Sequence, residues 1–317
     1  MEIVILEGRA VNPGDLSWDA LSQFGHVTVY DNTAQDEMAA RTKDADAVLI
    51  NKLAFPASLM DGCRNLKYIG ELATGYNNID VKAANARGIV VTNIPAYSTP
   101  SVVQHTFALL LELCVHVGEH SRSVMAGKWS KSDCFCYWDY PLTELTGKTL
   151  GVVGFGQIGR AVARSAVPFG MKVLACAAHP RECSGIDGVQ MAGFDEILER
   201  ADVISLHCPL TAENTGLIDA AAIARMKPGA ILLNTARGGL INERDVAEAL
   251  KTGYLGGFAA DVLTKEPPVD GSPLFSAPNC VITPHIAWAP FESRKRLIDI
   301  AVENLHAFQT GKSQNRV

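Results

Sequence analysis

Short β-branched runs alternate with helix-compatible segments along the first third of the chain: Ile3 to Leu6, Val27 to Tyr30, Ala47 to Asn51, Leu66 to Gly70 and Ile89 to Thr92. Apolar runs of this length, separated by amphipathic stretches, predict parallel strands joined by helices. Local punctuation agrees, with Asp31-Asn32-Thr33 offering a helix cap and Asp61-Gly62 and Arg87-Gly88 ending helices before strands. A longer helical stretch, about Ser101 to Gly118, leads into an irregular segment from Lys128 to Thr146 that carries Trp129, Phe135, Tyr137, Trp138 and Tyr140. A crossover between domains is expected there. A second alternation follows at Thr149 to Val153, Lys172 to Cys176, Val203 to Leu206, Ala230 to Leu233, Gly257 to Ala260 and Cys280 to Thr283. Glu292 to Gln309 then reads as one amphipathic helix, with Leu297, Ile298, Ala301, Val302, Leu305 and Phe308 on one stripe, suited to pack back on the first domain. The fold class expected is α/β, with two doubly wound parallel-sheet domains.

Composition narrows what such a fold does. At 317 residues the chain suits two α/β domains, with a ligand cleft between them as the first expectation. Its 48% hydrophobic and 20% charged residues are ordinary for a globular protein, and a net charge of -6 gives no electrostatic reason to bind nucleic acid. The acidic start Met1-Glu2-Ile3 runs straight into a strand, unlike a signal peptide, so a cytoplasmic location is expected. The longest apolar stretch, Phe107 to Val117, is broken by Glu112 and His116 and falls short of the roughly 20 residues needed to span a bilayer. No membrane partner is expected. The eight cysteines are scattered, several inside apolar runs where the thiol serves as a small hydrophobe, and Cys134 and Cys136 lack zinc-site spacing. No metal is expected.

Gly154-Phe155-Gly156-Gln157-Ile158-Gly159 follows an apolar strand and opens a helix, and another strand begins at Lys172. In that setting the first glycine permits a tight turn, the second lets a diphosphate approach the backbone, and the third allows close helix packing. The helix N-terminus then offers free N–H groups to phosphate. An acidic residue about 20 positions on usually holds the adenosine ribose. Here the strand ends Cys176-Ala177-Ala178-His179-Pro180-Arg181, with no carboxylate to repel a 2′-phosphate and with His179 and Arg181 able to attract one. NAD is the expected cofactor, with NADP left open because Ala177 stands where the acid was due.

Three later strands each deliver a polar residue just past their ends: Asn234-Thr-Ala-Arg237-Gly-Gly, Asp261-Val-Leu-Thr-Lys-Glu266-Pro-Pro and Thr283-Pro-His285-Ile-Ala-Trp288. A guanidinium can grip a carboxylate and a neighbouring oxygen with one fork of donors. An imidazole, with its ordinary pKa near ~6.5, can give or take a proton near neutral pH. A carboxylate beside it stabilises the imidazolium and orients the ring. Taken singly, such an Arg is a surface ion pair, such a Glu a solvated turn, and such a His a satisfied loop residue. As an ordered set on one sheet edge with the glycine loop, they resemble the D-isomer-specific 2-hydroxyacid dehydrogenase family, in the same order over nearly the whole chain.

That resemblance implies a Rossmann nucleotide-binding domain, residues 100–287, inserted into a flavodoxin-like substrate domain, residues 1–99 plus 288–317. It implies catalytic roles for Arg237, which binds substrate, His285, the acid/base, and Glu266, its partner. It also implies cofactor contacts from Gly154, Gly156, Gln157, Ile158 and Gly159 at the phosphates and His207, Cys208 and Pro209 beside the adenosine, with Thr235 and Ala236 under the nicotinamide and Asp261 at its carboxamide. The loop Ala73-Thr74-Gly75 can turn backbone N–H groups towards a carboxylate, and the resemblance has it face Arg237. Phe135-Cys-Tyr-Trp138-Asp-Tyr-Pro, leading into Gly147-Lys-Thr-Leu-Gly151, resembles the glycerate dehydrogenase (hydroxypyruvate reductase) branch. The substrate expected is D-glycerate/hydroxypyruvate or glycolate/glyoxylate, and a homodimer is expected. Alternatives are a D-3-phosphoglycerate dehydrogenase and a dinucleotide-sensing binding protein related to the corepressors of this fold.

Overall fold

In the computed structural model, which describes residues 1–178 and 186–317, every pairing between strands is parallel. The chain divides into two units, Met1–Ser98 with Trp288–Val317, and Thr99–Ala287.

The first unit holds β1 (Glu2–Ile5), β2 (His26–Val29), β3 (Ala47–Ile50), β4 (Tyr68–Glu71) and β5 (Val90–Thr92) in the order β2-β1-β3-β4-β5, the flavodoxin-type arrangement. Alternation along the strands sends side chains to both faces. Ile3, Ile5, Leu49 and Tyr68 meet the stripe Leu297, Ile298, Ala301 and Leu305 of the helix Phe291–Gln309, while Val4, Val48, Ile50 and Ile69 pack with Met38, Phe55 and Ile79. Arg294 on that helix is buried and donates to both carboxylate oxygens of Asp15, at 2.7 and 2.6 Å.

The second unit holds β6 (Thr149–Val153), β7 (Lys172–Cys176), β8 (Val189–Met191), β9 (Val203–Leu206), β10 (Ile231–Asn234), β11 (Gly257–Ala260) and β12 (Cys280–Ile282) in the order β12-β11-β10-β9-β6-β7-β8. The helix Thr99–Val115 buries Phe107, Leu110 and Leu113 against Leu150, Val152 and Ala259. The apolar face of this helix belongs to the second sheet, so the segment from Lys128 to Thr146 lies inside the second unit rather than at a crossover. Among the described residues no single helix is long and apolar enough to cross a membrane. Thr99–Val115 and Val117–Met125 meet that test only together, with a 58° bend between them.

Two local readings differ from the structure. Thr33 does not cap a helix: its hydroxyl donates to the Leu6 carbonyl at 2.6 Å, and the next helix begins at Met38. β8 is an additional edge strand, whose Val-Gln-Met sequence is interrupted by Gln190 and gives no apolar run.

Candidate active site

β6 sits between β7 and β9, so successive strands run outward from it in both directions, and ligands of such sheets bind past the strand ends at that reversal. The loop there is Gly154-Phe155-Gly156, opening the helix Gln157–Ala166. Gly154 has φ +98°, and a Cβ on it would lie 2.4 Å from the Cys208 amide nitrogen, so the loop packs directly against the His207-Cys208 backbone, with Pro209 next in sequence. A Cβ on Gly159 would come within 2.0 Å of the Gly154 carbonyl oxygen. Gly156 is different, since a Cβ there meets nothing within 4 Å and its φ of −78° is ordinary. That open space borders the first helical turn, where the amides of Gln157, Ile158 and Gly159 have no acceptor inside the helix. The Ile158 side chain packs against the core.

His207 keeps part of its surface exposed, yet burial of its ring pushes the imidazole down to about 4, and Ser205 Oγ lies 2.8 Å from its Nε2. The ring is neutral at physiological pH. At the end of β7, Ala177 packs partly against the core. His179 and Arg181 lie outside the described residues.

β10 ends in Asn234, which is fully buried. Its Oδ1 accepts from the Ala236 amide at 3.1 Å and its Nδ2 donates to the Arg237 carbonyl at 2.9 Å, closing a tight turn. Thr235 Oγ1 lies 3.2 Å from Thr106 Oγ1. The exposed Arg237 donates from Nη1 to the Ala236 carbonyl at 2.7 Å. Gly238 brings this turn against the next loop, because a Cβ there would sit 1.9 Å from the Leu263 carbonyl carbon.

In that next loop, Glu266 Oε1 accepts from the Leu263 amide at 2.9 Å and Oε2 accepts from His285 Nδ1 at 2.6 Å. One carboxylate oxygen is fixed by backbone and the other fixes the ring. His285 Nε2 has no partner among the described residues. Asp261, only 2% exposed, closes the arrangement: its Oδ1 accepts from the Ile286 amide at 2.8 Å and the Thr283 hydroxyl at 2.6 Å, and its Oδ2 accepts from the Ala287 amide at 2.7 Å. The structure therefore places Glu266 on His285, the Arg237 turn against Leu263, and Asp261 under the turn that follows His285. Asn234 and Gly238 escaped the sequence reading, although a strand-ending Asn and a Gly after a strand were the signals available.

In the other unit, the loop after β4 has its carbonyls engaged. Those of Leu72, Ala73 and Thr74 accept from Asn51 Nδ2 at 2.8 Å, the Ile94 amide at 2.9 Å and Asn93 Nδ2 at 2.8 Å. The amides of Ala73, Thr74 and Gly75 donate to no other described residue. Glu7 Oε2 braces the neighbouring loop by accepting from the Asn51, Lys52 and Leu53 amides at 2.8, 2.8 and 3.1 Å.

Residues 107–287 match the family model described as D-isomer specific 2-hydroxyacid dehydrogenase, NAD binding domain. The chain belongs to this family. The hydroxypyruvate reductase of Blautia hydrogenotrophica is 47% identical over 320 residues, an overlap of 100% of this chain and 99% of that one. The glycerate dehydrogenase of Methylorubrum extorquens is 41% identical over 291 residues, or 91% of this chain and 90% of that one. Among solved structures, the D-lactate dehydrogenase of Aquifex aeolicus complexed with NAD and lactic acid gives a TM-score of 0.84 at 30% identity, covering 98% of this chain and 96% of that one. As a D-2-hydroxyacid dehydrogenase, the protein is an oxidoreductase that works with a nicotinamide dinucleotide.

The open space at Gly156, beside the free amides of the first helical turn, leaves room for a diphosphate, and that use of the loop is testable. In Gly156→Val the added side chain occupies open space, so stability should fall by no more than about 1 kcal/mol, glycine's advantage at a helix cap. Dinucleotide affinity should fall by about 10-fold or more, ~1.4 kcal/mol, in a fluorescence titration. Unchanged affinity would place the diphosphate elsewhere.

Proposed function

We propose that the protein interconverts hydroxypyruvate and D-glycerate, or glyoxylate and glycolate, with Arg237, Glu266 and His285 as its catalytic set. The observation carrying this reading is the 2.6 Å contact between His285 Nδ1 and Glu266 Oε2, which leaves Nε2 without a partner among the described residues, on the sheet edge that also bears the glycine loop. In the reducing direction, His285 Nε2 donates a proton to the substrate's carbonyl oxygen. Glu266 holds Nδ1–H, which fixes the ring and stabilises the imidazolium before transfer. Arg237 presents its guanidinium fork to the carboxylate and carbonyl of the 2-oxo acid. In the first unit, the amides of Ala73, Thr74 and Gly75, which donate to no other described residue, are proposed as donors to a carboxylate. A bound reduced nicotinamide supplies the hydride that adds to C2.

The names of the two relatives above support the choice of substrate, and the carboxylate-free end of β7 bears on the cofactor. Ala177 neither repels a 2′-phosphate nor attracts one, and NAD is the preferred cofactor of this reading. A homodimer formed through the exposed Trp129, Phe135, Trp138 and Leu142 is part of the same proposal. The test is a panel of hydroxypyruvate, glyoxylate, pyruvate and 3-phosphohydroxypyruvate, each assayed with NADH and with NADPH. The highest kcat/KM is expected for hydroxypyruvate or glyoxylate with NADH. Preference for the phosphorylated acid overturns the substrate reading, and preference for NADPH overturns the cofactor reading.

A further inference from the structure

His285 holds a backbone conformation that L-residues with a side chain seldom adopt, with φ +55°. Such a conformation costs of order 1–3 kcal/mol and persists only where the surroundings impose it. Here one buried carboxylate does so, since Asp261 accepts the amides of both residues that follow, Ile286 and Ala287, and the hydroxyl of Thr283 two residues before. Nothing in the sequence near Asp261 explains why its two oxygens take up this orientation.

The explanation comes from the helix Thr99–Val115. His105 on that helix, with a side chain 19% exposed, places Nε2 at 2.8 Å from Thr283 Oγ1 and 3.5 Å from Asp261 Oδ1. The Thr283 hydroxyl has one proton, and the 2.6 Å contact directs it to Asp261. Towards His105 that oxygen can only accept, so Nε2 of His105 carries a proton and donates. The next residue on the helix, Thr106, touches Thr235 in the turn before Arg237. A single helical turn thus reaches two of the loops that carry the proposed catalytic residues.

We propose that His105 is a positioning residue, which acts through Thr283 and Asp261 to hold the turn bearing His285 in its left-handed conformation. It rests on the reading of His285 as the acid/base. A purely space-filling side chain at position 105 would be replaceable by an apolar one of similar size. A hydrogen-bond donor to Thr283 would not, but glutamine, with an amide N–H at comparable reach, would substitute for it.

The experiment compares His105→Leu, His105→Gln and His285→Gln in the full chain, measuring kcat and KM for the best 2-oxo acid of the panel, dinucleotide affinity and Tm. In His105→Leu, kcat should fall by about 10- to 100-fold, the loss expected when a reacting group is displaced by about 1 Å. KM and dinucleotide affinity should stay within about 3-fold, since Arg237 and the glycine loop are untouched and Asp261 stays held by the Ile286 and Ala287 amides. His105→Gln should recover most of the lost kcat. Wild-type kcat in His105→Leu overturns the proposal. So does a loss matched by a fall in Tm, with glutamine no better than leucine. His285→Gln separates this from the underlying reading: if that variant keeps its turnover, the role given to His285 is wrong whatever His105 does.

Discussion

Turnover of His285→Gln should fall by about 10²–10⁴-fold, the usual contribution of a positioned general acid, while dinucleotide binding stays near that of the parent protein. Glutamine has similar bulk but no group that gives up a proton at neutral pH, so the carbonyl oxygen would have to take its proton from water. The variant leaves the glycine loop untouched, because His285 follows β12 and the loop follows β6. It also leaves Glu266 tied to the Leu263 amide. Measuring kcat alongside dinucleotide affinity and Tm separates lost chemistry from lost structure. Turnover within about 3-fold of the parent would remove His285 from the mechanism and leave Glu266 without a reason for its position.

Replacing Glu71 by glutamine should raise stability, and raise it more as the solution becomes alkaline. Glu71 ends β4 with no solvent exposure. Its Oε2 accepts from Asn78 Nδ2 at 3.0 Å, while Oε1 is without a hydrogen-bond partner among the described residues. Burial pushes this carboxyl up to about 9, with Glu7 adding to the rise and Asn78 and Lys52 opposing it. The ordinary value is 4.5, so the folded state holds the proton more tightly than the unfolded chain does. The stability linked to that proton is complete below about pH 4.5 and drains away as pH rises towards 9, by up to ~1.4 kcal/mol per unit. Glutamine removes the titration and can still accept from Asn78. Denaturant unfolding at pH 6 and pH 9 should show the parent losing several kcal/mol that Glu71→Gln keeps. Parallel losses in the two proteins would mean that Glu71 is ionised and solvated in the fold.

The two sheets were legible because buried parallel strands must be apolar on both faces. Ala47-Val-Leu-Ile and Ile231-Leu-Leu-Asn can scarcely be read otherwise, and each of the four residues in both runs is buried. The glycine loop and the catalytic candidates were legible for a related reason, since each sits within a few residues of a strand end. Long-range partnerships were not. His105 and Thr283 are 178 positions apart, and only the packing of one helix on the second sheet makes them neighbours. Glu71 reads as a polar strand end, and its burial with Asn78 as the partner of one oxygen is set by the fold rather than by the residues beside it. Gly238 looks like a flexible residue after a strand, whereas its role is to let two backbones touch.

The return of residues 288–317 to the first unit sets an order of events during synthesis. Residues 1–98 leave the ribosome before the second unit, but Ile3, Ile5, Leu49 and Tyr68 cannot be covered by Leu297, Ala301 and Leu305 until the whole of that unit has been made. Residues 99–287 meet no such delay, because their sheet is contiguous in sequence. The second unit should therefore reach its native state before the first, which exposes an apolar sheet face to chaperones until the helix Phe291–Gln309 emerges.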